Sequence, residues 1–378
     1  MKKLAIIITH PIQYYSPLFQ LITQRNKIQI KVFYTWEQSQ DKIFDKKFGK
    51  EIKWDVPLLE GYDYTFVKNR AKNPGSANFM GVVNPTLINE IKQWQAGALL
   101  VFGWNHHSHF KAMRYFKGKI PVYFRGDSTL LDEKSGIKML ARRIWLKFVY
   151  RYIDYAFYVG TNNKNYYLKH GLNQKQLIFV PHAIDNERFE DKAGNYSKQA
   201  DEYRKVLNIN KKDIVFLFAG KFEPKKNPLL LIDAAKFFPR YKFVFVGNGI
   251  LEQEMKRKAG KNILFLPFQN QSQMPAIYRI ANIFVLPSLY NETWGLAVNE
   301  AMACGKAIIA SDKVGCAVDL IKNAENGYIF KAGSLNDLKE KIELSLKKYT
   351  DFGQKSVKRI KNWSFEKIAD ALENKINE

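Results

Sequence analysis

The sequence predicts an α/β protein built from two doubly wound domains that face one another across a cleft. Short apolar runs alternate with helix-like segments along nearly the whole chain, which is typical of parallel strands joined by crossover helices. A polar stretch near residues 183–205 divides this series in two, and 378 residues exceed the length that one core usually supports. Ligands of such sheets bind beyond the carboxyl ends of the strands, so we expect a site in the cleft.

Residues 1–185 are predicted to form the N-terminal domain. The candidate strands are short apolar runs: Leu4–Ile8, Ile28–Tyr34, Ala98–Phe102, Pro121–Phe124, Tyr155–Val159 and Leu177–Val180. Amphipathic segments at Pro17–Gln24, Pro85–Trp94 and Lys138–Ile153 lie between several of them.

Residues 186–205 are polar and are predicted to link the domains, and residues 206–355 repeat the alternation as a C-terminal domain. The strands expected there are Ile214–Phe218, Lys242–Val246, Ile263–Pro267, Ile283–Leu286 and Ala307–Ala310. The helices expected there are Pro228–Phe238, Leu251–Lys258, Met274–Ile280 and Leu296–Ala303. Residues 356–378 are predicted to hold a closing helix that packs back on the N-terminal domain.

The chain is strongly basic, with 60 Lys and Arg against 36 Asp and Glu, a net charge of +24. Residues 1–185 carry 28 basic and 13 acidic residues, so the excess is larger in the first half. Such a charge attracts anionic lipid headgroups, nucleic acid or phosphorylated substrates. A generally basic proteome is the alternative explanation.

The composition also bears on cellular location. The apolar run at the start stops at Thr9, which is short for a secretion signal, and no segment has the roughly 18 apolar residues of a membrane span. Cys304 and Cys316 suggest neither a disulfide framework nor a zinc site, so reduced thiols are expected. We therefore expect a cytoplasmic protein, with peripheral association at the inner face of the cell membrane as a further expectation.

The segment from Glu292 to Glu300 is the most informative part of the chain. It follows the apolar strand Ile283–Leu286 and reads Glu-Thr-Trp-Gly-Leu-Ala-Val-Asn-Glu, with a helix expected to begin near Gly295. A helix N-terminus after a strand offers free backbone N–H groups to an anion such as phosphate. One carboxylate before the helix and one about one and a half turns into it suit a phosphorylated, hydroxyl-rich ligand. A nucleotide sugar has these properties.

A second candidate loop follows the strand Ile214–Phe218. Gly220 permits a sharp exit from the strand, Lys221 and Lys226 flank the loop, and Asn227-Pro228 opens a helix. Two cations near a helix start can neutralise a pyrophosphate as it leaves. A solvated basic loop is the alternative. Gly247-Asn248-Gly249, after the next strand, is a further close-approach turn, although such pairs are common.

Three loops of the first half are expected to meet at one rim and to hold an acceptor or a leaving phosphate. They carry the acceptor-side candidates His10, Gln13, His106, Arg125 and Asp127. His106, His107 and His109 are close in sequence, yet neighbouring histidines in a loop rarely share one ion, so no metal site is predicted. Asp127 has a simple helix or turn cap as its alternative role.

The segment Lys138–Ile153 has a basic face, with Arg143, Lys147 and Arg151, beside an apolar stripe of Ala141, Ile144, Trp145, Phe148 and Tyr152. One interpretation is a helix whose apolar stripe packs on its own sheet. The other is an interfacial helix that touches anionic lipid through its basic residues and Trp145.

These motifs resemble a known family. Gly220-Lys221…Lys226-Asn227, Gly247-Asn248-Gly249, Glu292…Glu300-Ala-Met-Ala-Cys-Gly and Asn326-Gly327 are similar to the donor-binding domain of retaining glycosyltransferases with the GT-B fold, family 4. The resemblance is strong over about 205–335 and looser elsewhere. The His10-Pro-Ile-Gln-Tyr start resembles a subgroup of bacterial surface-polysaccharide enzymes.

The resemblance implies roles for individual residues. Catalytic roles fall to Glu292, near the reacting carbon of the donor sugar, and to Lys226 and Lys221, on the pyrophosphate. Glu300 would hold the nucleotide ribose, and the remaining donor-binding residues would be Gly220, Gly247, Gly249, Thr293, Trp294, Gly295 and Leu296. Two departures stand out: the family's usual arginine is Lys221 here, which keeps the charge but loses bidentate geometry, and Arg125-Gly126-Asp127 replaces a usual histidine.

The expected activity is a retaining transfer of a hexose or N-acetylhexosamine from a nucleoside-diphosphate sugar, with UDP favoured, to a lipid-linked or polymeric glycan. No cofactor or metal is expected, since no Asp-x-Asp motif stands at a suitable strand end. A sugar-nucleotide epimerase or a phosphorylase with the same fold is the alternative. A basic nucleic-acid-binding protein is a more distant one, because no recognition motif of that kind is present.

Overall fold

The computed structural model describes residues 1–36, 43–45, 50–52 and 54–378. The chain divides into two compact units. Unit 1 comprises Met1–Ile43, Pro57–His182 and Phe365–Glu378, and unit 2 comprises Phe44–Val56 and Ala183–Ser364. Each unit contains one parallel sheet with helices between its strands, which confirms the predicted doubly wound α/β class.

Unit 1 is built on a seven-stranded sheet of order β5-β2-β1-β6-β7-β8-β9, with parallel pairing throughout. The strands are β1 (Lys3–Ile8), β2 (Gln29–Tyr34), β5 (Asp63–Phe66), β6 (Ala98–Phe102), β7 (Val122–Arg125), β8 (Tyr155–Tyr158) and β9 (Leu177–Phe179). The helices are α1 (Ser16–Arg25), α2 (Leu87–Gln93), α3 (His107–Phe116), α4 (Ile137–Tyr150), α5 (Thr161–Lys169) and the last helix of the chain, α15 (Phe365–Asn377). Two short strands, β3 (Ile43–Asp45) and β4 (Lys50–Ile52), pair with one another, and β4 groups with unit 2.

The central strands of unit 1 are apolar over their whole length because helices cover both faces of a parallel sheet. In β1 the residues Leu4–Ile8 are all buried, and β6 is almost as apolar. The order of this sheet reverses between β1 and β6, where Leu4 lies beside Ala98. The loops after β1 and β6 therefore leave the sheet on either side of its topological switch point, the usual ligand position in such folds.

The closing helix α15 packs in unit 1. Arg25, at the end of α1, donates to Asp370 at 2.5 Å and to Glu373 at 2.7 and 2.8 Å. The Glu373 side chain is almost completely buried, so this contact is a desolvated ion pair rather than a loose surface one.

Unit 2 has a six-stranded parallel sheet of order β12-β11-β10-β13-β14-β15. The strands are β10 (Val215–Ala219), β11 (Lys242–Val246), β12 (Ile263–Leu266), β13 (Ile283–Leu286), β14 (Ala307–Ser311) and β15 (Gly327–Phe330). The helices are α6 (Asn186–Phe189), α7 (Asn195–Val206), α8 (Pro228–Ala235), α9 (Glu252–Lys258), α10 (Met274–Ile280), α11 (Leu296–Ala303), α12 (Ala317–Leu320), α13 (Leu335–Leu346) and α14 (Tyr349–Ile360). The order corresponds to the 3-2-1-4-5-6 pattern of dinucleotide-binding folds, with its switch point between β10 and β13.

Residues 186–205, for which the sequence predicts a linker, are largely helical and group with unit 2. Phe189 at the end of α6 is fully buried, and its carbonyl accepts a hydrogen bond of 2.6 Å from Arg279 in α10. Asn186 donates to the carbonyl of Trp363 at 3.0 Å. One buried aromatic residue thus anchors a segment whose composition is otherwise that of a loop.

The packing of helix α4 does not agree with the first interpretation of its sequence, in which the apolar stripe packs on the sheet of unit 1. Its buried residues are Leu146, Val149 and Tyr150, whereas Ile144 and Trp145 are exposed. The stripe that was expected to lie on the sheet faces outward for much of its length, because the helix uses the opposite side to cover the core.

Candidate functional site

The candidate site of unit 2 lies at the switch point of its sheet. Strand β10 pairs with β13, with Phe216 beside Ile283 and Leu217 beside Phe284. The loops that follow the two strands, residues 220–227 and 287–295, therefore leave the same edge of the sheet. A hydrogen bond of 2.7 Å from the Leu289 N–H to the Lys225 carbonyl joins the two loops directly.

The pair Lys226 and Glu292 lies at the junction of these loops. The Lys226 ammonium contacts Oε2 of Glu292, and both side chains are mostly buried, at 17% and 10% exposure. The Ser288 hydroxyl donates to the same carboxylate oxygen at 3.0 Å. The Glu292 carbonyl accepts from the Gly315 N–H at 2.9 Å, which fixes the backbone of the loop. The two residues proposed from separate motifs are thus one ion pair.

Lys226 ends a short 3₁₀ turn, Pro224–Lys226, which leads through Asn227 into α8. Lys221, at the start of the same loop, is half-buried next to Gly220. Lys225 pairs instead with Glu223, at 3.5 Å. Of these neighbouring lysines, Lys226 is the one whose ammonium contacts Glu292.

Gly247 and Gly249 lie against the chain's own backbone. A Cβ atom on Gly247, where φ is +144°, would lie 2.0 Å from the Gly220 carbonyl oxygen, and one on Gly249 would lie 2.5 Å from the Phe222 carbonyl oxygen. Backbone hydrogen bonds from Gly220 to Val246 and from Phe222 to Asn248, 3.0 and 2.9 Å long, hold the two turns together. The two glycines thus shape the Gly220–Phe222 turn, and this packing accounts for both of them.

Helix α11 begins at Leu296, directly after Gly295, in agreement with the predicted helix start. Gly295 has φ of +96°, and a Cβ there would lie 3.0 Å from Val314. The indole of Trp294 is buried, and its Nε1 donates to Asn299 at 2.9 Å, so this side chain belongs to the core. Thr293 and Leu296 are half-buried on either side of the helix start.

Glu300 is buried in the second turn of α11. The hydroxyl of Tyr278, in α10, donates to its Oε2 at 2.6 Å. Tyr278 carries no motif and lies in an apolar helix, so only the packing of α10 against α11 brings it to the site. Sequence reasoning did not predict this residue as part of the site.

Two acceptor-side candidates lie together in unit 1. His10, after β1, and His106, after β6, interact closely enough that the charge of His106 contributes to a lowered pKa of His10, after the larger effect of burial. Burial also lowers the pKa of His106. His10 bonds through Nδ1 to the Thr9 hydroxyl at 2.9 Å. Gln13, in the same loop as His10, is half-buried.

Arg125 is buried at the end of β7, and its side chain binds the backbone of unit 1. Its guanidinium donates to the carbonyls of Val180 and Pro181 at 2.8 and 2.9 Å. It therefore holds the chain where unit 1 ends rather than extending into solvent. Asp127, two residues later, is exposed.

Three further residues of unit 1 lie in this region, the half-buried Tyr15 and the buried His182 and His109. Of these, only His109 was considered in the sequence, as part of a possible metal cluster. The rings of Tyr15 and His182 stack 6.1 Å apart, and burial lowers the pKa of His182 to about 3. His109 is fully buried, with its pKa lowered to about 3 for the same reason. Its Nδ1 lies 3.0 Å from the Gly103 carbonyl and its Nε2 lies 2.9 Å from the Thr35 hydroxyl. These histidines are neutral near pH 7.

Within the described ranges, no group of three or more His, Cys, Asp and Glu side chains is arranged to hold a metal ion. Among the helices of the same residues, none is long and apolar enough to cross a bilayer. Cys304 and Cys316 are both buried free thiols.

Comparison with known proteins finds similarity to one family over part of the chain. Residues 199–363 match the sequence profile of "Glycosyl transferases group 1". The chain is 32% identical over 175 residues to the Escherichia coli UDP-Gal:alpha-D-GlcNAc-diphosphoundecaprenol alpha-1,3-galactosyltransferase, covering 43% of this chain and 42% of that protein. It is 30% identical over 213 residues to the Campylobacter jejuni N,N'-diacetylbacillosaminyl-diphospho-undecaprenol alpha-1,3-N-acetylgalactosaminyltransferase, covering 54% and 53%. The matches thus span about half or less of these curated relatives.

Solved structures match along the full length. HepE from Anabaena in complex with UDP has a TM-score of 0.74 at 15% identity, covering 100% of both chains. A glycosyltransferase from Rickettsia africae has a TM-score of 0.75 at 13% identity, covering 100% of this chain and 99% of that one. At such low identity the likeness concerns the fold, which is the two-domain GT-B architecture. The chain is thus similar to the Glycosyl transferases group 1 family over residues 199–363 and to GT-B structures in its fold.

Proposed function

We propose that the chain is a retaining glycosyltransferase of family 4 that transfers a hexose or N-acetylhexosamine from a nucleoside-diphosphate sugar to a glycan acceptor. The single observation that carries this proposal is the ion pair of Lys226 and Glu292 at the switch point of unit 2, next to the start of helix α11. A mostly buried cation and the free N–H groups of a helix N-terminus form an environment suited to a diphosphate.

In the proposed reaction the bond between the anomeric carbon and the phosphate oxygen breaks, and a bond from that carbon to the acceptor oxygen forms on the same face. The acceptor hydroxyl loses its proton to the departing phosphate oxygen. Lys226, with Lys221, stabilises the negative charge that develops on the diphosphate. Glu292 lies beside the sugar and stabilises the positive charge at the anomeric carbon.

The pairing of Lys226 with Glu292 also fits this division of roles. Each group holds the other in place, so neither has to be reoriented from bulk water when the donor binds. Ser288 holds the carboxylate from a second direction, at 3.0 Å. This preorganisation is what differential stabilisation of a transition state requires.

The nucleotide half of the donor is assigned to Glu300. A buried carboxylate oriented by the Tyr278 hydroxyl can accept hydrogen bonds from the two ribose hydroxyls. The packing at Gly247 and Gly249 keeps the Gly220–Phe222 turn close to the strand ends, where the diphosphate would lie. Gly295 and the half-buried Thr293 and Leu296 would approach the sugar and phosphate through their backbone.

UDP is the proposed nucleotide and a lipid-linked glycan the proposed acceptor, in the synthesis of a cell-surface polysaccharide. The names of the relatives from Escherichia coli and Campylobacter jejuni both specify a diphosphoundecaprenol acceptor, and the former specifies UDP-Gal. The complex of HepE contains UDP. The acceptor side is assigned to His10, Gln13 and His106, together with Asp127 in the loop after β7. No metal or other cofactor is invoked, because the lysines and the helix N-terminus supply the positive charge.

The basic first half supports a location at the inner face of the cell membrane, in the cytoplasm. Residues 1–185 carry 28 Lys and Arg against 13 Asp and Glu, which favours contact with an anionic lipid surface.

The direct test is transfer by the full chain from a panel of labelled UDP, GDP, ADP and dTDP sugars to a prenyl-diphosphate-linked N-acetylhexosamine. We expect turnover with a UDP sugar, loss of turnover in Glu292→Ala with unchanged folding, and a product whose new linkage keeps the α configuration of the donor. An inverted linkage would contradict the retaining mechanism. Normal turnover in Glu292→Ala would contradict the assignment of the donor site.

A further inference from the structure

Unit 1 contains an aromatic groove that the proposed donor and acceptor residues do not explain. Its volume is about 650 Å³, within the range of small-molecule sites. We define the aromatic groove by its lining: Phe79, Trp104, His107, Phe110, Lys111, Arg114 and Trp145.

The walls of the groove come from three parts of unit 1. Trp104 and His107 belong to the loop and helix start after β6, and Trp145 comes from α4. The rings of Trp104 and Trp145 lie 6.4 Å apart, and that of Phe110 lies 5.9 Å from Trp145. Phe79 meets the ring of His107 edge-on at 6.0 Å. Aromatic faces of this kind offer a large apolar surface to a hydrocarbon chain.

Helix α4 extends this apolar surface beyond the groove. At about 100° per residue, Ile137, Leu140 and Ile144 project on the side opposite the buried Leu146 and Val149. Ile144 is 64% exposed and Leu140 59% exposed. A helix that buries one apolar face in the core and presents a second one outward has an unsatisfied hydrophobic surface.

The charge around this apolar surface is positive. Lys111 and Arg114 line the groove itself, and the guanidinium of Arg114 lies 5.8 Å from the centre of the Phe110 ring. Arg143 and Lys147 lie beside the outward stripe of α4, on one side of it, at about 100° per residue. The aromatic groove is therefore apolar with a cationic rim, which is complementary to a molecule with a hydrocarbon chain and an anionic head group.

The groove also adjoins the acceptor-side candidates of the same unit. His107 lines the groove, and its neighbour in the chain is His106, which interacts with His10. Nδ1 of His107 is buried and has no hydrogen-bond partner within the described part of the chain.

We propose that the aromatic groove binds the hydrocarbon chain of the lipid-linked acceptor, with the phosphate of that lipid held by Lys111 and Arg114. This inference rests on the proposed transfer to a lipid-linked glycan and adds the site of the lipid portion. The occupant is a long prenyl chain bearing phosphate, and not the bilayer surface in general or a protein helix.

The test separates chain binding from transfer. The full chain in detergent is titrated with radiolabelled undecaprenyl phosphate, and the bound lipid is measured by equilibrium gel filtration, which does not depend on the tryptophans of the groove. We expect Trp145→Ser and Lys111→Glu each to weaken binding at least about tenfold. The matched controls are Leu168→Ser, at a residue that is 39% exposed elsewhere in unit 1, and Lys175→Glu, at an exposed lysine. Both controls should bind as the wild type does.

Kinetics supply the second measurement. In Trp145→Ser, KM for an acceptor with an undecaprenyl chain should rise at least about tenfold, whereas KM for the same glycan on a short soluble chain and KM for the donor sugar should stay unchanged. If undecaprenyl phosphate binds and the variants weaken it although no transfer is found, the groove assignment stands and the proposed function fails. Equal binding by all variants overturns the groove assignment. Binding of the variants to anionic vesicles is compared with and without prenyl phosphate in the vesicles. If Trp145→Ser and Lys111→Glu lose binding equally to both kinds of vesicle, the groove assignment is also overturned, since the surface would then be a general membrane contact.

Discussion

Lys226 and Glu292 form an ion pair that joins two loops separated by 66 residues in the chain. Lys226 follows the first strand of the unit 2 sheet and Glu292 follows the fourth. The pair can form only because β10 and β13 are neighbours at the point where the strand order reverses. The position of the ion pair is thus a direct consequence of the sheet topology.

Removing the charge of Lys226 should lower kcat by about 10²–10³-fold, the usual effect of losing one preorganised stabilising group. Lys226→Met keeps the length and apolar stem of the side chain but not its charge. The adjacent Lys225→Met is the matched control, since Lys225 pairs with Glu223 and not with Glu292. Steady-state kinetics with a UDP sugar measure both. Equal activity of the two variants would remove Lys226 from the reaction.

Transfer should not require a divalent ion. Because ammonium groups and a helix N-terminus are proposed to stabilise the departing diphosphate, activity in excess EDTA should equal that in buffer alone. The measurement is initial rate with EDTA, with and without added Mn²⁺ or Mg²⁺. Abolition by EDTA and restoration by one of these ions would contradict the proposed mechanism.

Tyr278→Phe should weaken donor binding and lower stability. The Tyr278 hydroxyl donates to the buried Glu300 at 2.6 Å, and the variant leaves that carboxylate without this donor. We expect a stability loss of about 1–3 kcal/mol and a rise of KM for the donor of roughly tenfold, which corresponds to about 1.4 kcal/mol. Denaturant unfolding and donor titrations measure the two effects.

The control is Tyr62→Phe, which removes another buried hydroxyl, bonded to Tyr34 at 2.7 Å in unit 1. This variant should lose stability while KM for the donor stays the same. A donor KM that is unchanged in Tyr278→Phe as well would show that Glu300 does not depend on Tyr278 for its role.

Gly247→Ala should destabilise unit 2 by about 2–4 kcal/mol. A Cβ would lie 2.0 Å from the Gly220 carbonyl oxygen, so the turn that carries Lys221 would have to move. Gly75→Ala is the control, since nothing lies within 4 Å of its Cβ position. Thermal unfolding and donor KM should both change in the first variant only. A stable Gly247→Ala with ordinary activity would mean that the turn adapts without cost.

Much of the fold could be predicted because parallel strands buried on both faces are continuous apolar runs. The predicted strand Ile283–Leu286 agrees residue for residue with β13, and the predicted helix Leu296–Ala303 with α11. The strand β5, Asp63–Phe66, was not predicted, because its polar composition is that of an edge strand. Residues 186–205 were expected to be a linker because their helices are polar except at anchors such as Phe189.

Residues of the candidate site could be predicted only where they belong to a sequence motif. Glu292 and Lys226 were identified from separate loops, and the strand order then explains why they meet. Tyr278 and His182 carry no local signal, since their importance depends on what the fold packs against them. Trp294 is a donor-binding candidate by position, and its indole lies in the core, bonded to Asn299, so only its backbone is left for a contact with the donor. Sequence patterns locate loops well, whereas the direction of a side chain depends on tertiary packing.

The last prediction concerns the stability of the protein at acidic pH. His109 is fully buried and neutral, with its pKa lowered from 6.5 to about 3 by burial. Below pH 6.5 the unfolded chain binds a proton at this residue and the folded chain does not, so stability falls as the pH falls. The loss is about 1.4 kcal/mol per pH unit, or about 2 kcal/mol between pH 6.5 and pH 5, and it continues until the pH nears 3.

Hydrogen exchange of the full chain measures this effect locally, in peptides that cover β6 and α3. Protection corrected for intrinsic exchange should fall between pH 7 and pH 5, and His109→Gln should lose about 2 kcal/mol less over the same interval, whatever its stability at pH 7. His182 remains in both proteins, so its own titration cancels in the comparison. Parallel losses in the two proteins would show that His109 becomes protonated in the folded state at a higher pH than its burial implies.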